Sequence, residues 1–223
     1  MSGVPPVGSP ASDAGLIETL RSGARALGLE LLPPAPERMI AYLRELERWN
    51  RTWNLTAVRD VAEMVARHVL DSLAVHRFVA GGQVADAGTG AGFPGVPLAI
   101  ALPRSRFTLI DAGAKKVRFL RHVTALLSLS QAAVVHARLQ DYQPPVGFDT
   151  VIARALAPLP RLVDLAGHLC APGGRLLAMQ GRRQDDELAA LPARWEVEGV
   201  EPLAVPGLDA QRHVVILRRD ARA

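Results

Sequence analysis

Three glycines at alternate positions, Gly88, Gly90 and Gly92, separate two apolar runs in VADAGTGAGFPGVPLAIAL, residues 84–102. Glycine tolerates backbone angles that a Cβ forbids and lets a ligand approach the main chain. The spacing therefore reads as a strand, a tight turn and a helix N-terminus that cradles a nucleotide-like cofactor. Val84 and Ala85 suit a buried parallel strand, and Pro94 falls near the first helical turn, where its missing N–H is harmless. A second run, FTLID at 107–111, ends in Asp111, 23 residues beyond Gly88. An acid about 20 residues on is where dinucleotide folds receive the ribose hydroxyls. The bland alternative is a strand-to-helix turn that holds no ligand.

The loop departs from the dinucleotide fingerprint in two ways. Phe93 stands where G-x-G-x-x-G would place its third glycine, and Asp86 precedes the first glycine by two residues. A carboxylate at that lip repels a pyrophosphate and suits the sulfonium and amino group of S-adenosylmethionine (AdoMet). AdoMet is the expected cofactor in preference to NAD.

The elements that must position these residues follow from periodicity. Residues 14–28 and 36–51 carry apolar side chains at helical spacing, among them Leu16, Leu20, Ala24 and Leu27, then Ile40, Leu43, Leu46 and Trp49. A third helix begins at Asp60, with Glu63 completing an acidic capping box, and runs through VARHVLDSLAVHRF. From Val84 onward short apolar strands alternate with helical stretches, and the last strand pair reads as antiparallel. The expected fold is α/β, a doubly wound Rossmann-like sheet with an N-terminal helical extension. The expected organisation is a disordered tail over 1–13, the helical extension over 14–80 and a cofactor-binding domain over 81–223, packed as one unit.

Composition bounds the rest. The chain has 223 residues, 49% of them hydrophobic and 22% charged, enough for a full α/β core. One cysteine, Cys170, excludes an internal disulfide and a multi-cysteine zinc site, and the six histidines are dispersed, so no metal is expected. The first dozen residues lack the charged start and apolar stretch of a signal peptide, and no apolar run approaches a membrane span. The expected location is cytoplasmic, with no membrane association, and a monomer is the expected state. A net charge of +4 and a pI of 10.0 permit a polyanionic partner.

In a doubly wound sheet ligands bind outside the carboxyl ends of the strands. Lys115, Lys116, Arg118 and Arg121 follow the second strand there, Arg154 the fourth, and Arg182 with Arg183 the fifth. Singly each reads as a solvated helix face; together they suit a phosphate backbone. Arg38, Arg44, Arg48 and Arg51 could extend that surface, or the N-terminal helices could simply roof the sheet, with Trp49 and Trp53 as core anchors.

The ordered set WNRTWNLTAVRD at 49–60, RHVLDSLAV at 67–75, DAGTGAGFPGVPLAI at 86–100, KKVRFLRHV at 115–123, VIARALAPL at 151–159 and DAQRHVVIL at 209–217 resembles the RsmG or GidB family of 16S ribosomal RNA guanine-N7 methyltransferases. The resemblance covers residues 44–217. It implies that AdoMet is held by Gly88 and Phe93, that Asp111 takes the ribose hydroxyls, that Leu139 and Gln140 flank the adenine, and that Arg154 completes the site. It also implies 16S ribosomal RNA, or the small ribosomal subunit, as partner, with Lys115, Lys116, Arg118, Arg182 and Arg183 as candidate RNA contacts. The family usually has a small residue and an acid at the positions of Leu139 and Gln140, and a lysine at that of Gln180. Here a carboxylate contact to the adenine would fall to Asp141, and an RNA contact to Arg182 or Arg183.

Guanine N7 carries an in-plane lone pair and no proton, so attack on a sulfonium methyl needs no general base; positioning and electrostatics suffice. No base motif is recognisable, and no catalytic residue is assigned. His68 and Asp71, one helical turn apart, either face the cofactor mouth or orient the junction of helices and sheet. N7 lies on the deep, narrow major-groove edge of A-form RNA, so the target must be unpaired, splayed or met before assembly is complete. Two other readings stay open: a small-molecule methyltransferase with an apolar pocket and little salt dependence, and an AdoMet-binding protein without turnover.

Overall fold

The computed structural model describes residues 12–181 and 185–221. Most of the expected tail, and both Arg182 and Arg183, lie outside the described residues. Asp13, placed in the tail by the sequence reading, instead begins the first helix, α1 (Asp13–Ala26), because the Ser12 hydroxyl accepts the Gly15 amide hydrogen as an N-cap. The second helix, α2 (Ala35–Trp53), ends at Asn54 in the left-handed region. The third is interrupted: α3 (Val61–Met64) passes through a π-helical turn, Val65–Leu70, into α4 (Asp71–Leu73). Asp60 caps it by accepting from the Glu63 amide at 2.9 Å, while the Glu63 carboxylate pairs with Arg67.

The rest alternates as β1 (Gln83–Ala87), α5 (Gly95–Ala101), β2 (Arg106–Asp111), α6 (Ala114–Leu126), β3 (Ala132–His136), β4 (Phe148–Arg154), α7 (Leu159–Ala166), β5 (Cys170–Gln180), α8 (Asp185–Ala189), β6 (Trp195–Pro202) and β7 (His213–Arg219). These strands form one sheet in the order β3-β2-β1-β4-β5-β7-β6. The first five are parallel, and β7 runs antiparallel between β5 and β6. Strand residues alternate between two cores, as a pleat of period two demands. Ile152, Leu177, Val214 and Ile216 face the N-terminal helices, α5 and α6, whereas Val151, Leu176, Val215 and Leu217 face α7. Burial on both faces is why these strands read as continuous apolar runs.

The N-terminal helices are part of this body. Tyr42 of α2 is fully buried against Phe93 and Phe119, at ring-centroid distances of 5.2 and 6.2 Å. Its hydroxyl donates to the Ala91 carbonyl at 2.7 Å, tying α2 to the glycine loop. Burial holds that phenol well above its usual range, so it remains a donor. Tyr42→Phe leaves the Ala91 carbonyl without this partner and is expected to lower the urea unfolding free energy by about 1–2 kcal/mol with the fold retained. An unchanged midpoint and slope would show that the bond contributes nothing to the junction.

Candidate active site

The loop after β1 takes its shape from two carboxylates. Asp86, 1% exposed, accepts from the Gly95 amide at 2.7 Å and from the Thr89 hydroxyl at 2.5 Å through Oδ2. Asp111 accepts from the Gly90 amide at 2.9 Å through Oδ2 and from the Gly113 amide at 2.7 Å through Oδ1; the Lys116 ammonium stands 3.4 Å from Oδ2. Between these anchors Gly88, Gly90 and Gly92 take φ of 70°, 63° and 108°, the left-handed region where a side chain is strained. A Cβ on Gly90 would meet only the Gly88 carbonyl, at 4.0 Å, so the main chain there is open to close approach by a ligand. That cradle fits an AdoMet-type cofactor.

Asp86 does not form the negative lip expected of it. Its carboxylate turns inward beneath the loop, where one main-chain amide and one hydroxyl donate to it and solvent does not reach. Its Oδ1 has no hydrogen-bond partner among the described residues. Burial pushes its pKa from 3.8 up to about 6 against the pull of Thr89, Gly95 and Arg154.

Beside the loop opens a cavity of about 630 Å³. Gly88–Ala91 and Phe93 line it from the sheet edge, Lys116 from α6, Arg154 and Ala155 at the end of β4, Met179–Gly181 at the end of β5, and Arg212 before β7. The N-terminal helices supply the remaining wall: Leu55–Val58, Glu63, Arg67, His68 and Asp71. Four cations thus share the lining with two carboxylates.

Asp71 is the electrostatic centre of that wall. Its side chain is 3% exposed and receives Arg154 on Oδ2 at 2.9 Å and Arg212 on Oδ1 at 3.0 Å. Removing either arginine leaves a buried charge partly uncompensated. Arg154 also lies 5.1 Å from the Phe93 ring centroid, and His68 covers that ring at 4.5 Å. The His68 Nδ1 lies 3.0 Å from the Arg67 carbonyl, which can only accept, so Nδ1 carries the proton and Nε2 accepts from the Thr56 hydroxyl at 2.8 Å. Burial and the Arg154 charge lower the His68 pKa to about 4, so the ring is neutral with both nitrogens engaged. The π-helical turn that carries Arg67 and His68 is a geometry frequent at functional sites.

The residues singled out in the sequence do not all meet at one place. Gly88, Phe93, Lys116 and Arg154 meet at the cavity, with Asp111 just beneath its rim behind Lys116 and Gly90. Leu139 and Gln140 lie beyond Asp111 and outside the cavity lining; Leu139 is buried in the second core and Gln140 is exposed. Lys115 and Arg118 are exposed on α6, with the Lys115 ammonium 5.2 Å from the half-buried Trp53 ring. Of the arginines on α2, Arg44 pairs with Asp13 and Glu47, and Arg48 with Glu45. Gln180 bridges Glu187 and His213, each at 3.3 Å.

Arg212, Thr56 and Asn50 escaped the sequence reading, although each lies in a quoted motif. For Arg212 a signal was present: an antiparallel β7 brings its start, not its end, to the ligand edge, and His213 pairs with Gln180.

Comparison with known proteins follows the same outline. Residues 35–215 match the family model described as "GidB: rRNA small subunit methyltransferase G". A protein of Xanthomonas campestris pv. campestris (strain 8004) named ribosomal RNA small subunit methyltransferase G is 47% identical over 201 residues, covering 90% of this chain and 94% of its own length. One of the same name from Nitrosococcus oceani is 48% identical over 199 residues, covering 89% and 93%. The crystal structure of the glycopeptide N-methyltransferase MtfA complexed with S-adenosyl-L-homocysteine superposes with a TM-score of 0.58 at 12% identity, over 70% of this chain and 88% of that one. The last likeness is one of fold.

The raised Asp86 pKa gives a signed prediction. The folded chain holds that proton more tightly than the unfolded one, so the stability contributed by the neutral acid is complete below about pH 4. It is lost as pH rises to about 6 and beyond. Relative to Asp86→Asn, the wild type should lose about 1–3 kcal/mol of urea unfolding free energy between about pH 4 and pH 7. A difference that stays flat over that window would show that Asp86 ionises as a solvated carboxylate does.

Proposed function

This chain belongs to the rRNA small subunit methyltransferase G family, and on that premise we propose that it transfers the AdoMet methyl group to N7 of a guanine in 16S ribosomal RNA. AdoMet supplies an electrophilic methyl on a sulfonium; the chain supplies binding, orientation and a shielded cavity. Gly88, Gly90 and Phe93 form the cradle, Asp111 takes the ribose hydroxyls, Arg154 closes the edge beside Phe93, and Leu139 with Gln140 stands on the adenine side. Asp111 already accepts from two main-chain amides, which fix its carboxylate in place and leave lone pairs on both oxygens for the ribose.

The observation that carries the choice of nucleophile is the state of the cavity's titratable groups. Both His68 nitrogens are engaged, both Asp71 oxygens hold arginines, and Glu63 pairs with Arg67. Asp71 is held as the counter-ion of two arginines and His68 as a neutral ring fastened at both nitrogens, so neither is arranged as a general base. A hydroxyl acceptor would need such a base, whereas guanine N7 has no proton to lose. Rate must then come from holding the purine in line with the methyl, about 3–3.5 Å away, where orientation alone can contribute several kcal/mol. The surplus of cations at the cavity and on α6 supports a polyanionic acceptor over a small apolar one. No described helix is long and apolar enough to cross a membrane. The reading places the chain in the cytoplasm as a monomer acting on the small ribosomal subunit or its RNA.

Purified protein, methyl-labelled AdoMet and undermethylated small subunits test this directly. One labelled N7-methylguanine in the small-subunit RNA is expected, and no transfer despite AdoMet binding would overturn the reading. Gly88→Asp combines φ +70° with a Cβ 2.7 Å from Leu156, so calorimetric AdoMet binding should be lost; retained affinity would remove Gly88 from the site. Lys115→Glu should weaken subunit binding severalfold and flatten its salt dependence while sparing AdoMet affinity. Lys116→Glu, which also faces Asp111, should weaken both.

A further inference from the structure

Resting on that reading, we propose that Leu55–Val58 is the wall against which the acceptor guanine seats, with Asn50 and Thr56 as its positioning residues. The segment is irregular, yet it is held as firmly as a strand. Asn50, 2% exposed near the end of α2, donates from its amide to the Thr56 carbonyl at 2.9 Å and the Val58 carbonyl at 3.3 Å, and accepts from the Thr56 amide at 2.9 Å. The Thr56 hydroxyl accepts from the Val58 amide at 3.2 Å and donates to His68. Arg59 closes the bracket from outside, donating to the Asn50 carbonyl at 3.1 Å and to the Asn54 side chain at 2.8 Å.

The bracket leaves a pattern. Thr56 and Val58 have their main-chain groups engaged by Asn50 and by the Thr56 hydroxyl, whereas the main-chain groups of Leu55 and Ala57, on the same cavity wall, enter no hydrogen bond among the described residues. An amide hydrogen there matches guanine O6, the acceptor next to N7, and a carbonyl matches the N1 and N2 donors. With the cofactor on the glycine loop, this is the wall that the N-terminal helices present to the remaining space. The same bracket reaches the cofactor side through Thr56 to His68 and then the His68 ring to Phe93. Base and methyl donor are thereby held in one frame, which a reaction without a general base requires.

Thr56→Val keeps the shape and removes the hydroxyl, Thr56→Ser keeps the hydroxyl, and Asn50→Ala removes the bracket. With small subunits as substrate, Thr56→Val and Asn50→Ala should each lower kcat/KM by roughly tenfold or more, while calorimetric AdoMet affinity stays within about twofold of wild type. Thr56→Ser should return to within about threefold of wild type. If Asn50→Ala fails to fold, the threonine pair carries the test alone. Loss of AdoMet affinity in proportion to activity would overturn the proposal, because the bracket would then serve the cofactor or the fold. Unchanged kcat/KM in Thr56→Val would overturn it too. Absence of transfer by the wild type would instead strike the parent reading, so the two failures are distinguishable.

Discussion

The glycine loop keeps its shape because two carboxylates take up main-chain amides that neither a helix nor a strand would satisfy. Asp111, at the sheet edge, holds Gly90, while Asp86, inside the sheet, holds Gly95 and Thr89. The first has both oxygens engaged by main-chain amides and the Lys116 ammonium 3.4 Å away. The second is expensive: a fully buried carboxylate with one oxygen lacking a partner among the described residues, its pKa raised to about 6. A fold keeps such a group where the alternative is worse, and here the alternative is a loop of left-handed glycines free to rearrange where a ligand must sit. A hydrophobic replacement would remove the desolvation penalty and the loop geometry together.

Asp71 plays the complementary part for the cavity. It belongs to the third helix, yet its two partners come from the end of β4 and the approach to β7, 83 and 141 residues away. One carboxylate thus joins three segments that share no hydrogen-bonded ladder. The N-terminal helices are consequently structural members of the active cavity, and Tyr42 adds a second tie by reaching the Ala91 carbonyl from α2. The sequence alternatives of a roof or a working surface collapse into one: these helices roof the sheet, and the underside of the roof is a wall of the site.

The alternation of strands and helices, the glycine loop and the acid at the end of β2 were legible because each is written locally, in pleat periodicity, in glycine spacing and in a strand that ends on aspartate. The antiparallel last pair was legible as well. The inward turn of Asp86 was not, since an acid two residues before a glycine has the same identity whether it points at a ligand or at a buried amide. The π-helical turn also leaves no mark, because Val65–Leu70 has ordinary helical composition. Asn50 is harder still: on α2 it reads as a solvated polar position, and only the return of residues 56 and 58 beneath it makes it a bracket. Contacts of long sequence separation are invisible to a reading built on local period.

Protein groups that do no proton transfer can still set a rate, and the cavity is arranged for that kind of work. The neutrality of His68 follows from its burial and from the Arg154 charge, and its tautomer from the Arg67 carbonyl; neither depends on a ligand. Its ring then serves as a spacer between Thr56 and Phe93, rigid because both of its polar ends are fastened. A charged imidazolium there would be desolvated and would face Arg154 and Arg67, so burial and these arginines together keep the histidine neutral. On the proposed reading, positive charge arising on a purine during methylation would meet Arg154 and Arg212, and Asp71 is the compensating carboxylate between them. The double ion pair holds the arginine charge close to Asp71, so a base made cationic in the cavity would face a partly neutralised wall instead of two unpaired cations.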